Sequence, residues 1–165
     1  MMFRLVVTMI TFLSAQALAE EAIITGNVES KCVINTDVNG VYGNPSSGTL
    51  STLPADGGIM PIIRYDVALG DAYTAKITAP NSFSTSPSLS DVVAWTGDVE
   101  VSEVSDTAMA DYETDKVQYE YTTEFDMHTA GTTWFKITSK AEYGYGKVYP
   151  AGTYRAIVMA ECIAN

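Results

Sequence analysis

The pattern that decides the fold is clearest near the C-terminus, in the stretch Thr153-Tyr-Arg-Ala-Ile-Val-Met-Ala-Glu-Cys-Ile163. Every second side chain there is apolar or small, and together these residues form one face of an extended segment: Tyr154, Ala156, Val158, Ala160 and Cys162. Side chains of a β-strand alternate between the two faces of a sheet, so a period of two predicts a strand with one buried face. We therefore expect this stretch to be a strand that contributes to the core.

The same alternation recurs along the chain in short runs separated by turn residues. A first strand is predicted over 22–34, in which one face carries alternate residues: Ala22, Ile24, Gly26, Val28, Ser30, Cys32 and Ile34. Asn39-Gly40 follows and is typical of a hairpin turn, because both residues tolerate positive φ.

Further strands are predicted over several ranges: 48–53, 59–69, 71–78, 92–104, 116–127 and 132–141. Residues 80–90, rich in serine and proline, are predicted to be the least structured loop, and 107–114 a loop or a short helix. Seven to nine strands without a convincing amphipathic helix favour an all-β fold, an immunoglobulin-like antiparallel β-sandwich. Because no repeat or long linker divides residues 20–165, we expect them to form a single domain.

The composition of the 165-residue chain excludes several classes of function. It contains 9 Lys+Arg against 20 Asp+Glu, which gives a formal net charge of −11. Nucleic-acid recognition needs a basic surface, so nucleic acid is not an expected partner. Hydrophobic residues make up 47% of the chain and charged residues only 18%, which argues against a disordered acidic tail.

The first nineteen residues are typical of a cleaved secretory signal peptide. Arg4 precedes an apolar run over 5–13, and Ala17-Leu18-Ala19 supplies small residues before Glu20. The run is shorter than the roughly 20 residues of a membrane-spanning helix, which favours cleavage over an uncleaved anchor. We therefore predict a signal peptide over 1–19, a mature chain from Glu20, and a secreted protein of the periplasm or cell surface with no membrane span after cleavage.

Export determines how the two cysteines, Cys32 and Cys162, are interpreted. In an oxidising compartment they can form a disulfide, whereas a metal pair is poorly supported because no other cysteine or histidine lies near either one in sequence. Free or intermolecular thiols remain an alternative. Both cysteines are in phase with the apolar faces of their predicted strands, so a bridge would join the first strand to the last.

Candidate catalytic groups are sparse, and we predict that the chain is not an enzyme. His128 is the only histidine and has no nucleophile motif beside it, so we interpret it as a solvated turn residue. Glycoside hydrolysis needs two carboxyl groups across a cleft, but the spacing of the acids nominates no such pair. These acids are Asp98, Glu100, Glu103, Asp106, Asp111, Glu113 and Asp115. We interpret them as a solvated edge, and we predict no catalytic residues and no cofactor.

Two binding hypotheses have some support in the sequence. Residues 35–40, Asn-Thr-Asp-Val-Asn-Gly, match the opening of an EF-hand calcium loop, but the pattern then fails at Pro45 and Ser46. An Asn-Gly turn explains the same residues, and the acidic loop over 103–115 is no more specific, so no metal ligand is predicted. A cluster of tyrosines near glycines could form a sugar-binding platform: Tyr143, Tyr145, Tyr149 and Tyr154. Cross-strand aromatic packing is the alternative for these residues, and Tyr154 is expected in the core.

Both ends of the chain resemble a known group of proteins. Gly26-Asn-Val-Glu-Ser-Lys-Cys32-Val-Ile is similar to the opening strand of chaperone–usher fimbrial subunits. Residues 32–45, Cys-Val-Ile-Asn-Thr-Asp-Val-Asn-Gly-Val-Tyr-Gly-Asn-Pro, resemble the segment after the first cysteine in the spore coat U, or archaic pilin, group. Pro150-Ala-Gly-Thr-Tyr154-Arg-Ala-Ile-Val resembles the closing strand of both groups. The likeness covers the two ends of the chain and is much vaguer between them.

The resemblance implies an incomplete sandwich that polymerises when an extended segment of one subunit fills the groove of the next. It implies other copies or related subunits as partners, and a periplasmic chaperone. Two features depart from the group: the second cysteine is Cys162 at the end of the chain, and the predicted first strand leaves no long donor extension after Glu20. On the sequence, the chain is therefore also compatible with a self-complete relative or a terminal subunit that only accepts a strand.

Together these observations favour a secreted structural or adhesive pilin-like subunit of a cell-surface appendage or coat, assembled through β-strand complementation. The alternative is a monomeric extracellular β-sandwich module that binds carbohydrate or calcium.

Overall fold

The computed structural model describes residues 24–26, 31–71 and 73–165 and consists mainly of antiparallel β-strands. The first six strands are β1 (Cys32–Val38), β2 (Gly43–Ser46), β3 (Thr49–Ser51), β4 (Ile62–Val67), β5 (Tyr73–Thr78) and β6 (Phe83–Thr85). The others are β7 (Val93–Val104), β8 (Val117–Tyr119), β9 (Thr122–Asp126), β10 (Gly131–Tyr143), β11 (Arg155–Ala156) and β12 (Met159–Ala164). A four-residue helix, α1 (Tyr112–Asp115), and two 3₁₀ turns (Pro54–Asp56 and Thr107–Met109) are the helical elements of the described residues.

The strands form two main sheets and a small ribbon. The larger sheet has the order β1-β4-β10-β3-β2, and β7 pairs with the other edge of β10. The second sheet has the order β12-β5-β9-β8, while β6 and β11 pair separately. Within the described residues, β1 and β12 are therefore edge strands, one in each main sheet.

The core lies between the two main sheets. Inward-facing residues alternate along the strands, and the largest fully buried ones come from both sheets: Tyr65, Ile77, Phe125, Phe135 and Ile137. Tyr65 and Phe135 meet edge to face with ring centroids 5.4 Å apart. Alternation of this kind is what places one face of each strand in the core, so the all-β sandwich prediction is confirmed. The immunoglobulin-like strand order stays a prediction.

The predicted strand count differs from the observed one. The described residues form twelve strands, of which five are only two to four residues long. Short strands of this length carry too few alternating residues to give a period-two signal. The predicted loop over 80–90 contains one of them, β6, which pairs with β11.

Several local predictions are wrong. The first strand begins at Cys32, not at Ala22: Ile24–Gly26 are outside any strand and the Ile24 side chain is 96% exposed, while residues 22–23 and 27–30 lie outside the described part. Asn39-Gly40 does not close a hairpin, because β1 pairs with β4, whereas β2 pairs with β3. Glycine is instead required at position 40 by close packing, because a Cβ atom there would lie 2.8 Å from Cδ of Pro61.

The third wrong prediction concerns residues 116–127, for which the sequence predicts one continuous strand. They form a tight hairpin of β8 and β9, and Glu120 adopts a φ of 50° in the turn between them. The alternation of Val117, Tyr119 and Tyr121 is consequently not that of a continuous strand. A non-glycine residue at positive φ has no clear sequence signal, so the turn was not predictable from the residue types.

Candidate functional site

The two edge strands are joined at one end by a disulfide. Cys32 begins β1 and Cys162 lies near the end of β12, and the structure places them in a disulfide with Cα atoms 6.5 Å apart. The bond spans 130 residues of sequence. The predicted bridge is therefore confirmed, and it fixes the distance between the edges of the two sheets at this end.

Tyr65 closes the space between the two strands near the disulfide. Its side chain is fully buried in the core below β1, and its hydroxyl donates to the backbone carbonyl of Glu161 in β12, 3.0 Å away. Burial raises the pKa of Tyr65, so the hydroxyl stays a donor at neutral pH. This end of the sandwich is thus closed by a covalent bond and a buried hydrogen bond.

Away from the disulfide, a groove of about 1070 Å³ opens beside the end of β1. One wall is the end of β1 with the loop after it, and the other wall is the segment 149–158. The floor is formed by residues of the larger sheet: Leu50, Thr52, Ile63 and Ser139. Apolar side chains line the rim, among them Val41, which is 50% exposed, and Ile157, which is 60% exposed.

The wall over 149–158 takes its shape from the Pro-Ala-Gly-Thr-Tyr motif. The hydroxyl of Tyr154 donates to the carbonyl of Pro150 at 2.7 Å, which closes the turn. Gly152 has a φ of 155°, and a Cβ at this position would collide with the ring of Pro87. The motif is therefore a structural turn in which glycine is required for close approach, and it orients the wall of the groove.

An aromatic cluster supports the groove from below, with Phe83 at its centre. The Phe83 ring contacts four others at centroid distances of 4.7 to 6.4 Å: Tyr42, Trp95, Tyr149 and Tyr154. The hydroxyls of Tyr42 and Ser139 lie 2.8 Å apart in a hydrogen bond beside the floor. The buried Tyr149 hydroxyl has no hydrogen-bond partner among the described residues, and burial raises its pKa. The cluster holds the groove rigidly, because these rings leave little space for rearrangement.

The predicted tyrosine platform is not present as a surface. Tyr143 and Tyr149 are buried and stacked on each other with centroids 5.1 Å apart, and Tyr154 belongs to the aromatic cluster. Tyr145 alone of the four is an exposed side chain, beside a shallower concavity of about 610 Å³. Three of the four tyrosines thus pack inside the molecule.

The residues of the possible calcium loop lie on a strand instead. Asn35 and Asp37 project from the outer face of β1, where the Asn35 amide donates to Asp66 and Asp37 accepts from the Trp134 indole at 2.8 Å. Arg64 forms ion pairs with both Asp37 and Asp66. An extended segment cannot wrap its side chains around one ion, so the calcium-loop interpretation of 35–40 is wrong. The described residues contain no cluster of three or more acidic, histidine or cysteine side chains suited to a metal.

His128 and the acidic residues are engaged in local contacts. The Nε2 atom of His128 lies 3.1 Å from Oδ1 of Asp111, and its ring packs against Tyr112 at the turn that leads into β10. The prediction that His128 lies in a turn agrees with its position, but the ring is only partly exposed and is held by these contacts, not simply solvated. Glu113, by contrast, accepts from the backbone of β7 and pairs with Lys116, so it is not merely a solvated acid.

Comparisons with known proteins identify no relative. No protein-family model, no curated protein and no solved structure matches the chain. None of the described helices is long and apolar enough to cross a membrane. The groove and its two edge strands are therefore the features from which function is inferred.

Proposed function

We propose that the chain is an exported structural or adhesive subunit, pilin-like in kind, that assembles when a strand from one copy enters the groove of the next. The observation that carries the proposal is a groove of mixed polar and apolar lining between the end of β1 and the segment 149–158. Among the described strands β1 pairs with β4 alone, so its outer edge is left unpaired beside the groove. An unpaired strand edge beside side-chain pockets is the binding surface used in β-augmentation, where backbone hydrogen bonds supply affinity and side chains supply specificity.

The occupant that we assign to the groove is the segment 20–31 of a second copy. These residues, Glu-Glu-Ala-Ile-Ile-Thr-Gly-Asn-Val-Glu-Ser-Lys, precede β1 in the mature chain that the sequence predicts. Ala22, Ile24 and Val28 fall on one face in an extended conformation, and Ile24 is 96% exposed in a single copy. Because β1 begins only at Cys32, the reason for expecting no donor extension does not hold.

The segment is long enough for this role. Twelve extended residues span about 40 Å, which exceeds even the roughly 23 Å of all seven residues of β1. Only the end of β1 near Thr36 lines the groove, so an inserted strand could pair there and still connect to its own domain. Burial of Ile24 and Val28 against the groove floor would contribute roughly 2 kcal/mol each.

The compartment and partners follow from the same arrangement. The disulfide is compatible with an extracellular or periplasmic location, which supports export of the chain. A groove that is open before assembly exposes apolar surface, and a periplasmic chaperone that lends a strand would cover it until another copy does.

Replacement of one apolar residue tests the proposal. Ile24→Asp in the mature chain should abolish concentration-dependent self-association in analytical ultracentrifugation, because a charge would replace an apolar side chain that the proposed insertion buries. Ile23→Asp is the matched control, since its side chain faces the opposite side of an extended segment and should leave association intact. Equal behaviour of both variants, or a wild-type chain that stays monomeric at high concentration, would contradict the proposal.

A further inference from the structure

The outer edge of β7 is occupied by side chains, unlike the edges that flank the groove. The ammonium of Lys116 donates to the carbonyl of Val99 at 2.9 Å, and the amide of Val101 donates to Oε2 of Glu113 at 2.7 Å. Val99 and Val101 are two residues apart, so their backbone groups point to the same side of the strand. That side is the one opposite β10.

A third contact continues the same row of backbone groups. The hydroxyl of Tyr121 donates to the carbonyl of Trp95 at 3.1 Å, four residues before Val99 and on the same edge. All three side chains come from the segment 113–121, which comprises α1, β8 and the turn after it. The segment therefore satisfies, with side chains, backbone groups that a neighbouring strand would otherwise bind.

Lys116 is held in this position by two carboxylates. Its ammonium lies 2.7 Å from Glu113 and 3.6 Å from Asp98, and its side chain is only 16% exposed. Burial lowers the pKa of Lys116, but the hydrogen bond to Glu113 and the charge of Asp98 outweigh burial and raise the pKa overall. The ammonium is therefore charged at all physiological pH values, and it presents a buried cation to any strand that approaches this edge.

β7 needs such protection more than other strands do. It has twelve residues and pairs with β10 along one edge only, so its other edge would be a long template for an added strand. We propose that Glu113 and Lys116 act as an edge guard, which denies β7 to the strand of a second copy and confines strand addition to the groove. The inference rests on the proposed function, because it concerns which edge a donated strand can use.

The test removes the guard in a chain whose groove assembly is already disabled. In the Ile24→Asp background, the double substitution Glu113→Ala with Lys116→Ala should produce new self-association in analytical ultracentrifugation. The amide of Val101, read by hydrogen exchange, should exchange about tenfold faster, as expected when one hydrogen bond is lost. The matched control is Lys140→Ala with Glu142→Ala, which removes an exposed ion pair of 2.8 Å from β10 and should change neither measurement.

A conservative series separates the guard from a purely structural role. Lys116→Arg keeps a donor for Val99 and should stay monomeric, whereas Lys116→Met keeps the apolar stem and loses the donor, and should associate. Lys116→Met also replaces the double variant if circular dichroism shows that the latter does not fold. Folded double and Met variants that stay monomeric would overturn the inference. Unchanged exchange at Val101 in the double variant, which lacks the Glu113 acceptor, would overturn it as well.

Failure of the groove proposal would be recognised separately. If the Ile24→Asp chain still associates, the groove assignment is wrong. The chain that also lacks Glu113 and Lys116 is then compared with the Ile24→Asp chain. Stronger association together with faster exchange at Val101 would support the edge guard, and the absence of either effect would overturn it.

Discussion

Phe83 and Gly152 show how single residues determine the shape of the groove. Phe83 lies in a three-residue strand and still contacts four aromatic rings, so it ties the loop over 80–90 to the rest of the molecule. Gly152 allows the wall segment to approach Pro87. Neither role follows from local sequence, because the contacts of Phe83 with Tyr149 and Tyr154, and that of Gly152 with Pro87, join residues far apart in the chain.

The disulfide is the residue-scale feature with the largest expected effect on stability. Cys32→Ser removes a crosslink that closes 130 residues, and the chain-entropy argument predicts a loss of about 4 to 5 kcal/mol in the free energy of unfolding. Urea denaturation of wild type and variant under non-oxidising, non-reducing conditions would measure it. An unchanged unfolding curve would show that the bridge does not stabilise the fold.

At the scale of the elements, alternation was sufficient to predict the central strands. β4, β5, β7 and β10 fall within the predicted ranges apart from the ends of β10. In β4, β5 and β10 alternate residues are buried, because a period of two is a direct consequence of strand geometry, whereas Val99 is the one buried residue of β7. Over 153–163 the predicted inward face is confirmed, since Tyr154, Val158 and Cys162 pack against the two core clusters. The prediction of a single strand there is wrong, because the stretch is divided into β11, which pairs with β6, and β12, which pairs with β5. The in-phase cysteines were enough to predict the bridge.

The elements that form the candidate site were harder to predict. The predicted start of β1 is ten residues too early. The alternation of 22–30 suits a strand of this domain and a strand that pairs with another chain equally well, so it does not distinguish the two. The groove itself depends on the relative positions of β1 and the wall over 149–158, which are more than 100 residues apart in sequence. Pairing across such distances leaves no local pattern.

The sheet edges differ in whether their outer backbone groups are already hydrogen-bonded. β7 has its outer backbone groups bonded to Lys116, Glu113 and Tyr121, whereas β1 bonds only to β4 among the described strands. One edge is thereby closed and another is left open. In the proposed assembly, this asymmetry would confine strand addition to the open edge.

At the scale of the whole molecule, buried tyrosines predict a loss of stability at alkaline pH. Burial raises the pKa of Tyr65 and Tyr149 above the unfolded value of about 10. Their contribution to the free energy of unfolding is complete below pH of about 10. It is lost as the pH rises towards the higher pKa values of the folded state, because the tyrosines of the unfolded chain ionise first. Tyr143 acts in the opposite sense, since the hydrogen bonds from Ser90 lower its pKa.

Thermal melting across the alkaline range, followed together with tyrosinate absorbance, measures this effect. We expect the melting temperature to fall above pH of about 10, with the buried tyrosines ionising only as the fold is lost. A melting temperature that does not change while all tyrosines titrate together would contradict the burial of these side chains.

The central claim is that the groove accepts the segment 20–31 of another copy, and peptide binding tests it most directly. A peptide of that sequence is titrated into the Ile24→Asp chain, with the same peptide carrying aspartate at the position of Ile24 as the control. At 100 times its dissociation constant a bound peptide stabilises the fold by about 2.7 kcal/mol, so the melting temperature should rise. Hydrogen exchange should slow in β1 and over 149–158 and not in β7. No stabilisation by the unmodified peptide, or equal stabilisation by both peptides, would contradict the account.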